Sequence, residues 1–245
     1  MESKRTVCLL SSGLDSTVAL ALERENSEIA LALTFDYGQR AARREIERAQ
    51  RIATHYGVPH RVVELPFFAA IGAASGGRGG ALLDRSVELP RPDRATLHAG
   101  GAVPTKELLA SADRVWVPNR NGIFLEVAAA FAEALGAAVV IAGFNREEAA
   151  TFPDNSIEYL AAATAALAYS TRGRVRLESP TAALDKREIV VAGRAHAVPL
   201  ELCWPCYEGG AVPCASCESC QRFLSAAERA DPAFASGIEW RGDRR

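Results

Sequence analysis

Short apolar runs alternate with segments of helical period along much of the chain. The apolar runs predict strands near residues 6–11, 28–35, 60–65 and 137–143. The segments between them predict helices over residues 14–24, 40–56 and 122–135. Strands that alternate with helices are typical of βαβ units, so the pattern predicts an α/β protein built on a parallel sheet.

Two of the predicted strands are almost wholly apolar. Both Ile29–Phe35 and Ala137–Gly143 lack the alternation of a strand that has one face in water. This is typical of a sheet covered by helices on both faces, and ligands of such sheets bind at the carboxyl ends of the strands.

The pattern loses its period between residues 67 and 115. This segment is rich in Ala, Gly, Pro and Arg and includes the run Gly76–Gly80. We expect no regular helix or strand here, and an insertion of this length is either an irregular excursion or a mobile lid over the site.

Composition narrows the class of protein. A chain of 245 residues with 49% apolar content can bury one large core and a small additional module. A net charge of −2 argues against a nucleic-acid-binding surface. No apolar run is long enough to span a bilayer, so we expect a cytoplasmic protein whose clustered cysteines are metal ligands or catalytic groups.

The segment from Val7 to Thr17 has the features of a phosphate-binding turn. An apolar strand leads into Ser11, Ser12 and Gly13, and an Ala- and Leu-rich helix follows. The first N–H groups of a helix lack partners within the helix and attract anions. The turn has no lysine, which distinguishes it from the P-loop of kinases. The alternative is that Ser11 or Ser12 only caps the helix.

Polar side chains follow several predicted strands. They are found in the segments Asp36–Gln39, Val117–Asn121, Gly143–Glu148 and Thr151–Ser156. The carboxyl ends of parallel strands share one edge of a sheet, so we expect these segments to line one crevice.

A cysteine cluster near the C-terminus predicts a metal site. Cys206, Cys214, Cys217 and Cys220 supply two overlapping C-x-x-C pairs and one further thiolate, enough for tetrahedral Zn²⁺. The cysteine spacing of a typical bacterial iron–sulfur site is absent, so zinc is favoured. Cys203 could replace Cys206, act as a reactive thiol or pack in the interior.

These motifs together resemble a known family. Ser11–Ser16 is similar to the Ser-Gly-Gly-x-Asp-Ser loop of the ATP pyrophosphatases, with Ser12 in place of a glycine. With the polar segments and the cysteines, residues 5–228 resemble the QueC family of 7-cyano-7-deazaguanine synthases. The resemblance implies a Rossmann-like, doubly wound parallel sheet of the adenine nucleotide alpha hydrolase (PP-loop) type over residues 1–200. It also implies a zinc module over 201–228 and a tail over 229–245.

The resemblance further implies an ATP-dependent carbon–nitrogen ligase of queuosine biosynthesis. Such an enzyme converts 7-carboxy-7-deazaguanine and ammonia to 7-cyano-7-deazaguanine through an amide, and it releases AMP and diphosphate. It would use Mg²⁺ with ATP, hold a structural Zn²⁺, form a homodimer and bind no nucleic acid directly.

Roles for individual residues follow from the same resemblance. Catalytic roles are expected for Asp15, Arg120 and Asp154. ATP is expected at Leu10, Ser11, Ser12, Gly13, Leu14, Asp15, Ser16, Thr17, Asp36, Tyr37 and Gln39. The deazaguanine substrate is expected at Arg120, Asn121, Asn145, Phe152 and Asp154, and the metal at Cys206, Cys214, Cys217 and Cys220.

The sequence departs from the family pattern at two places. Pro118-Asn119-Arg120-Asn121 replaces Pro-Gly-Arg-Asn, and Phe152–Ser156 replaces Tyr-Pro-Asp-Cys-Arg. These changes favour a divergent, archaeal-like branch. They keep open an enzyme that stops at the amide or conjugates a deazaguanine to a protein or nucleic acid. A non-catalytic adenine-nucleotide-binding module is the alternative of another class.

Overall fold

A five-stranded parallel sheet lies at the centre of the molecule. The computed structural model describes residues 4–74, 80–93, 97 and 104–241. The strands are β1 (Arg5–Leu9), β2 (Glu28–Asp36), β3 (His60–Glu64), β4 (Val139–Ile141) and β5 (Arg176–Glu178). Their order across the sheet is β3-β2-β1-β4-β5, and every neighbouring pair is parallel.

Helices connect the strands and extend the chain beyond β5. They are α1 (Leu14–Glu23), α2 (Ala42–Tyr56), α3 (Phe68–Ala74), α4 (Lys106–Val115), α5 (Arg120–Ala134), α6 (Arg146–Ala149), α7 (Ile157–Ser170), α8 (Lys186–Ala195), α9 (Glu218–Ala230) and α10 (Pro232–Gly237). Short 3-10 turns lie at Gly80–Leu82, Pro153–Asn155 and Leu200–Leu202. Within the described ranges, no helix has both the length and the apolar character needed to cross a membrane.

Consecutive strand residues pack on opposite faces of the sheet, and helices cover both faces. Val7 belongs to a core that contains Leu125 of α5. The next residue, Cys8, lies in a second core with Leu20 of α1 and Ile52 of α2. This arrangement explains why the central strands carry few polar residues, and it confirms the predicted doubly wound α/β fold.

The expectation for residues 67–115 was wrong in part. Helices α3 and α4 and the turn Gly80–Leu82 lie in this segment. Helix α4 begins where the Thr105 hydroxyl accepts a hydrogen bond from Leu108 N at 3.2 Å, and it buries Leu108, Ala112 and Val115 on one face. Residues 75–79, which include most of the predicted glycine run, lie outside the described residues. The role of the segment as an insertion or lid stays a prediction.

The strand order places a crevice between the ends of β1 and β4. From β1 the chain proceeds outward through β2 to β3, and it later enters β4 on the opposite side of β1. Ligands of open α/β sheets bind at such a switch point. Gly143 follows β4, and a Cβ atom there would lie 2.3 Å from Ser16 N in the first turn of α1. Glycine at 143 therefore allows the two turns to touch.

Candidate active site and cysteine cluster

The turn after β1 leaves the first N–H groups of α1 without a side-chain cap. Gly13 is the N-cap residue and has no side chain to cap the first turn, so the alternative in which Ser11 or Ser12 caps the helix is wrong. The Ser11 hydroxyl accepts a hydrogen bond from Gly13 N at 3.4 Å, before the first turn of α1. The Ser16 hydroxyl accepts from Ser11 N at 3.2 Å. These contacts shape the loop around an open helix N-terminus, which suits a phosphate group.

Ser12 has an uncommon backbone conformation for a residue with a side chain. Its φ is 61°, in the left-handed region that favours glycine. The side chain is fully buried, and its Oγ has no hydrogen-bond partner. The loop therefore retains a glycine-like conformation although the glycine of the family pattern is missing.

A cavity of about 260 Å³ opens beside this loop at the carboxyl edge of the sheet. The predicted site residues that line it are Leu10, Ser11, Gly13, Leu14, Asp15, Ser16, Tyr37, Gln39, Arg120, Asn121 and Phe152. Those that do not line it are Ser12, Thr17, Asp36, Asn145 and Asp154. The structure thus brings most of the strand-end segments to one crevice.

Lys186 joins the loop from a distant part of the chain. This buried residue begins α8, and its Nζ contacts Asp15 Oδ2 and lies 2.7 Å from Glu148 Oε1. Burial raises the pKa of Asp15, and the attraction of Lys186 lowers it by less. The net result is a pKa raised to about 6. Burial also disfavours charge on the other two groups, but their mutual attraction lowers the pKa of Glu148 and raises that of Lys186. The result is an ammonium group held beside the phosphate-binding turn.

Sequence reasoning did not identify Lys186 or Glu45 as site residues, although both line the cavity, whereas Glu148 lies in the segment Gly143–Glu148 that was expected to line the crevice. A signal for Lys186 was present. A cation in the first turn of a helix opposes the helix dipole, and Lys186 directly follows the N-cap residue Asp185. This signal does not single out Lys186, because Lys106 also begins a helix but is exposed.

Arg120 and Tyr37 form a second polar group in the cavity. Arg120 Nη1 donates to Tyr37 Oη at 3.4 Å, and the guanidinium carbon lies 5.9 Å from the centre of the Tyr37 ring. Burial disfavours the charged guanidinium, but Tyr37 and Asp154 raise its pKa. A half-buried cation beside an aromatic ring can recognise a carboxylate or a planar heterocycle.

Gln39 orients a carboxylate toward the same group. Its Oε1 accepts from Tyr37 N at 3.0 Å, and its Nε2 donates to Phe35 O at 3.0 Å and to Glu45 Oε2 at 2.7 Å. Burial raises the pKa of Glu45 to about 7, although the Gln39 amide and Arg120 both lower it. Glu45 therefore changes charge near neutral pH.

The remaining predicted substrate residues surround Arg120 or support nearby elements. Asp154 accepts from Asn155 Nδ2 at 3.2 Å, and burial raises its pKa. The Phe152 ring is parallel to that of Trp116, with 6.3 Å between the ring centres. Asn145 is fully buried, and its Oδ1 caps α6 by accepting from Glu148 N at 2.8 Å.

Three predicted ATP contacts do not line the cavity, and two of them, Asp36 and Thr17, have local hydrogen-bond partners instead. Asp36 Oδ1 accepts from Gly38 N at 3.1 Å, and Thr17 Oγ1 donates to Gly13 O at 2.8 Å. Ser12 is buried below the loop. Their contacts with ATP stay predictions.

Four buried cysteines form a possible metal site. The Sγ atoms of Cys206, Cys214, Cys217 and Cys220 lie within 4.8 Å of one another. The Cys214 and Cys220 sulfurs are 3.9 Å apart. A tetrahedron with Zn–S bonds of about 2.3 Å has edges of about 3.8 Å, so the donor set fits zinc. Cys203 is outside this cluster, and burial raises its pKa to about 12.

Comparison with known proteins identifies the family. The family described as "Queuosine biosynthesis protein QueC" matches residues 5–231. The chain belongs to the QueC family. A relative from Pelotomaculum thermopropionicum, named 7-cyano-7-deazaguanine synthase, is 49% identical over 92% of this chain and 97% of its own length.

Other QueC relatives with the same name come from both bacteria and archaea. The protein from Bdellovibrio bacteriovorus is 51% identical over 90% of this chain and 91% of its own length. The protein from Methanosarcina barkeri is 43% identical over 92% of this chain and 94% of its own length. The match therefore extends over nearly the whole QueC chain, including the cysteine cluster.

Proposed function

We propose that the protein is a ligase that converts 7-carboxy-7-deazaguanine, ammonia and ATP to 7-cyano-7-deazaguanine, AMP and diphosphate. The observation that carries this proposal is that one cavity is lined both by a phosphate-binding turn and by the Arg120–Tyr37 pair. Membership of the QueC family, with relatives named for this activity, supports the assignment.

The chemistry requires two adenylations. In the first, a substrate carboxylate oxygen attacks the α-phosphorus of ATP and diphosphate leaves. Ammonia then attacks the acyl carbon, AMP leaves, and an amide forms. In the second, the amide oxygen attacks another ATP and diphosphate leaves. Loss of AMP and the remaining amide protons then yields the nitrile, so two AMP are formed per nitrile.

The turn after β1 would hold the phosphates. Main-chain N–H groups at Gly13, Leu14 and Asp15, with the Ser11 and Ser16 hydroxyls, would donate to phosphate oxygens. Lys186 would offset the negative charge that develops on the leaving diphosphate. Its position against Asp15 supports this role.

Asp15 has an oxygen suited to the magnesium ion of Mg-ATP. Asp15 Oδ1 is buried and has no hydrogen-bond partner, and Mg²⁺ is bound in proteins through carboxylate oxygens. When bound, Mg²⁺ would neutralise phosphate charge. Asp15 would orient the ion or the phosphates, and its contact with Lys186 would keep both groups at the reacting end of ATP.

Arg120 would bind the carboxylate of the deazaguanine in bidentate fashion. Asp154 would accept hydrogen bonds from the N–H edge of the ring, while Asn121, Asn145 and Phe152 would complete the substrate pocket. Asp36, Tyr37 and Gln39 would contact the adenosine.

The cysteine cluster would hold a structural Zn²⁺. A site closed by four thiolates leaves no position for substrate, so its role would be to stabilise the module of residues 201–228. The divisions at 1–200 and 229–245, and assembly as a homodimer, remain part of this proposal.

An enzyme that stops at the amide, or transfers the activated base to a macromolecule, is the second candidate. Asn155 supports this candidate. It departs from the family pattern, lines the cavity and donates a hydrogen bond to Asp154. The donated hydrogen bond ties up one oxygen of the proposed ring-edge acceptor.

One experiment distinguishes these functions. The purified protein is incubated with Mg-ATP, ammonium and 7-carboxy-7-deazaguanine, and AMP and product mass are followed. Nitrile with two AMP per product is the expected result. Amide with one AMP, or AMP without released base, would support the second candidate. The absence of AMP formation would favour a nucleotide-binding module.

A further inference from the structure

A second group of charges, centred on Arg222 and Glu218, lies beside the cysteine cluster, which itself reaches the cavity through Cys206. Arg222 of α9 donates to Glu147 Oε1 at 2.8 Å and, through two nitrogens, to Glu218 Oε1 at 3.0 and 2.9 Å. Arg222 is 6% exposed and Glu218 is 1% exposed. Glu218 also accepts a hydrogen bond from the Ser111 hydroxyl of α4.

This group is continuous with the contacts of Lys186. Glu147 and Glu148 are neighbours in α6, and they face different cations. Glu147 binds Arg222, whereas Glu148 binds Lys186, which contacts Asp15 on the phosphate-binding turn. At the other end, Glu218 directly follows the cysteine Cys217. Ion pairs and adjacent residues thus connect the cysteine cluster to that turn, with Arg222, Glu218 and Lys186 buried and the two carboxylates of α6 half-buried.

Helix α6 depends on its neighbours for its position. It has only four residues, and a helix of one turn has little stability of its own. It also carries adjacent carboxylates, Glu147 and Glu148, whose repulsion must be offset. The Asn145 cap fixes its beginning, and the buried Arg222 guanidinium binds it from the side of α9.

We propose that Arg222 is a positioning residue for the adenylation reaction. By binding Glu147 it fixes α6, so that Glu148 holds Lys186 at Asp15 and the cysteine module contributes to the geometry of the phosphate end. This inference rests on the proposed function, which assigns Lys186 and Asp15 to ATP. Arg222 itself touches no substrate in this proposal.

The prediction is a selective effect on turnover. Loss of the guanidinium leaves Glu147 without its cation and allows α6 to shift, which displaces Lys186 from the developing charge on diphosphate. Arg120 is attracted to the charge of Glu148, but its own hydrogen bonds go to Asn121 and Tyr37, which lie outside these contacts. We therefore expect Arg222→Gln to lower kcat for AMP release about 30-fold while KM for the deazaguanine stays within about twofold.

The test uses the full-length protein loaded with zinc. Arg222→Gln, Arg222→Lys and Glu147→Gln are compared with Arg229→Gln, a matched change at an exposed arginine of the same helix. Zinc content, far-UV circular dichroism, kcat and both KM values are measured for each. Lysine at 222 should restore part of kcat, and Arg229→Gln should match the unaltered protein.

A kcat for Arg222→Gln within about twofold of the unaltered value, with zinc retained, would overturn the inference. If Arg222→Gln loses zinc, Glu147→Gln decides, because it changes no residue of the cysteine module. Reduced kcat in that variant supports the inference, and unchanged kcat overturns it. If the unaltered protein releases no AMP, the proposed function fails and the inference fails with it.

Discussion

Lys186 Nζ lies 2.7 Å from Glu148 Oε1, so the first residue of α8 is fixed by the short helix that follows β4. The same ammonium contacts Asp15 after β1. The segments that follow β1, β4 and β5 thereby meet at one edge of the sheet. They place the buried ammonium of Lys186 beside the open N-terminus of α1. Such a cation acts on charge that develops at a phosphate during bond cleavage.

Replacement of Lys186 is expected to affect chemistry more than binding. Lys186→Gln should lower kcat for AMP release by about 100-fold, because one preorganised charge is lost from the phosphate end. Steady-state kinetics with Mg-ATP would measure it. Lys106→Gln is the matched control, since Lys106 also begins a helix but is exposed. Equal kcat in the two variants would remove Lys186 from the mechanism.

Asp15→Ala should abolish AMP formation and leave the fold intact. The substitution removes the carboxylate whose free oxygen is available to Mg²⁺, while Lys186 keeps its contact with Glu148. AMP release and circular dichroism would be measured together. The exposed Asp113 provides the control Asp113→Ala. Full turnover by Asp15→Ala would contradict the assignment of this loop.

The cysteines should differ in their effect on metal content. Cys217→Ser should lose zinc and lower Tm by roughly 10 °C, because metal binding stabilises the folded module. Cys203→Ser should retain the zinc, since Cys203 is not in the four-sulfur cluster. Mass spectrometry under native conditions would measure bound metal. Loss of zinc from both variants would indicate that Cys203 is needed for the site.

Ser12→Gly should stabilise the protein. A residue with a Cβ at φ 61° costs about 1–2 kcal/mol relative to glycine. The greater entropy of glycine in the unfolded chain cancels roughly 0.5–1 kcal/mol of that gain. We expect an increase of about 0.5–1 kcal/mol in the free energy of unfolding, measured with urea. Ser12→Ala serves as the control, since it removes the unpartnered hydroxyl but keeps the strained backbone. A stability gain equal in both variants would assign the effect to the hydroxyl.

Glu45 should make stability depend on pH. Its pKa is raised to about 7 in the folded protein, so the folded state holds a proton that the unfolded state has released above about 4.5. Stability is therefore lost as the pH rises toward 7. Glu45→Gln lacks this loss, and it should be more stable than the unaltered protein by roughly 1–2 kcal/mol at pH 8, after allowance for solvent screening of this half-buried side chain.

Urea unfolding at pH 5 and pH 8 would measure this difference. The difference should be clearly smaller at pH 5, where the carboxyl group is still protonated in the folded protein and only the first part of the stability loss has occurred. Comparison of variant with unaltered protein at each pH removes the contribution of the other titrating groups. If the stability difference between Glu45→Gln and the unaltered protein is the same at both pH values, the pKa of Glu45 is not raised in the folded protein.

Four of the five strands could be predicted because their signal is local, whereas the three-residue strand β5 was not predicted. Apolar runs such as Ile29–Phe35 must be covered on both faces, and this fixes the class of fold. The cysteine cluster was predictable for the same reason, since its residues lie close together in sequence. Helix α4 was missed although its buried positions 108, 112 and 115 have helical spacing and Thr105 provides a capping signal, because the apolar residues Leu109 and Ala110 lie between them and reduce the contrast between the two faces.

The contacts of the site were harder to predict because they join distant residues. Asp15, Glu148 and Lys186 belong to separate segments, and no spacing in the sequence indicates that they meet. Asn145 was predicted to contact substrate, but its Oδ1 caps α6, and the pattern of a polar residue after a strand does not distinguish these uses. The residue types of a loop can be read from the sequence, whereas the partners of a buried charge become known only from the folded structure.

Gly143 places a limit on amino-acid replacement that does not depend on any ligand. A side chain at this position would overlap the main chain of α1, where Ser16 N lies 2.3 Å from the site of a Cβ atom. Even alanine would force the end of β4 away from the phosphate-binding turn. Mutational tolerance at 143 is therefore determined by contact between two main-chain segments, and a replacement there would be harmful in the resting protein as well as during turnover.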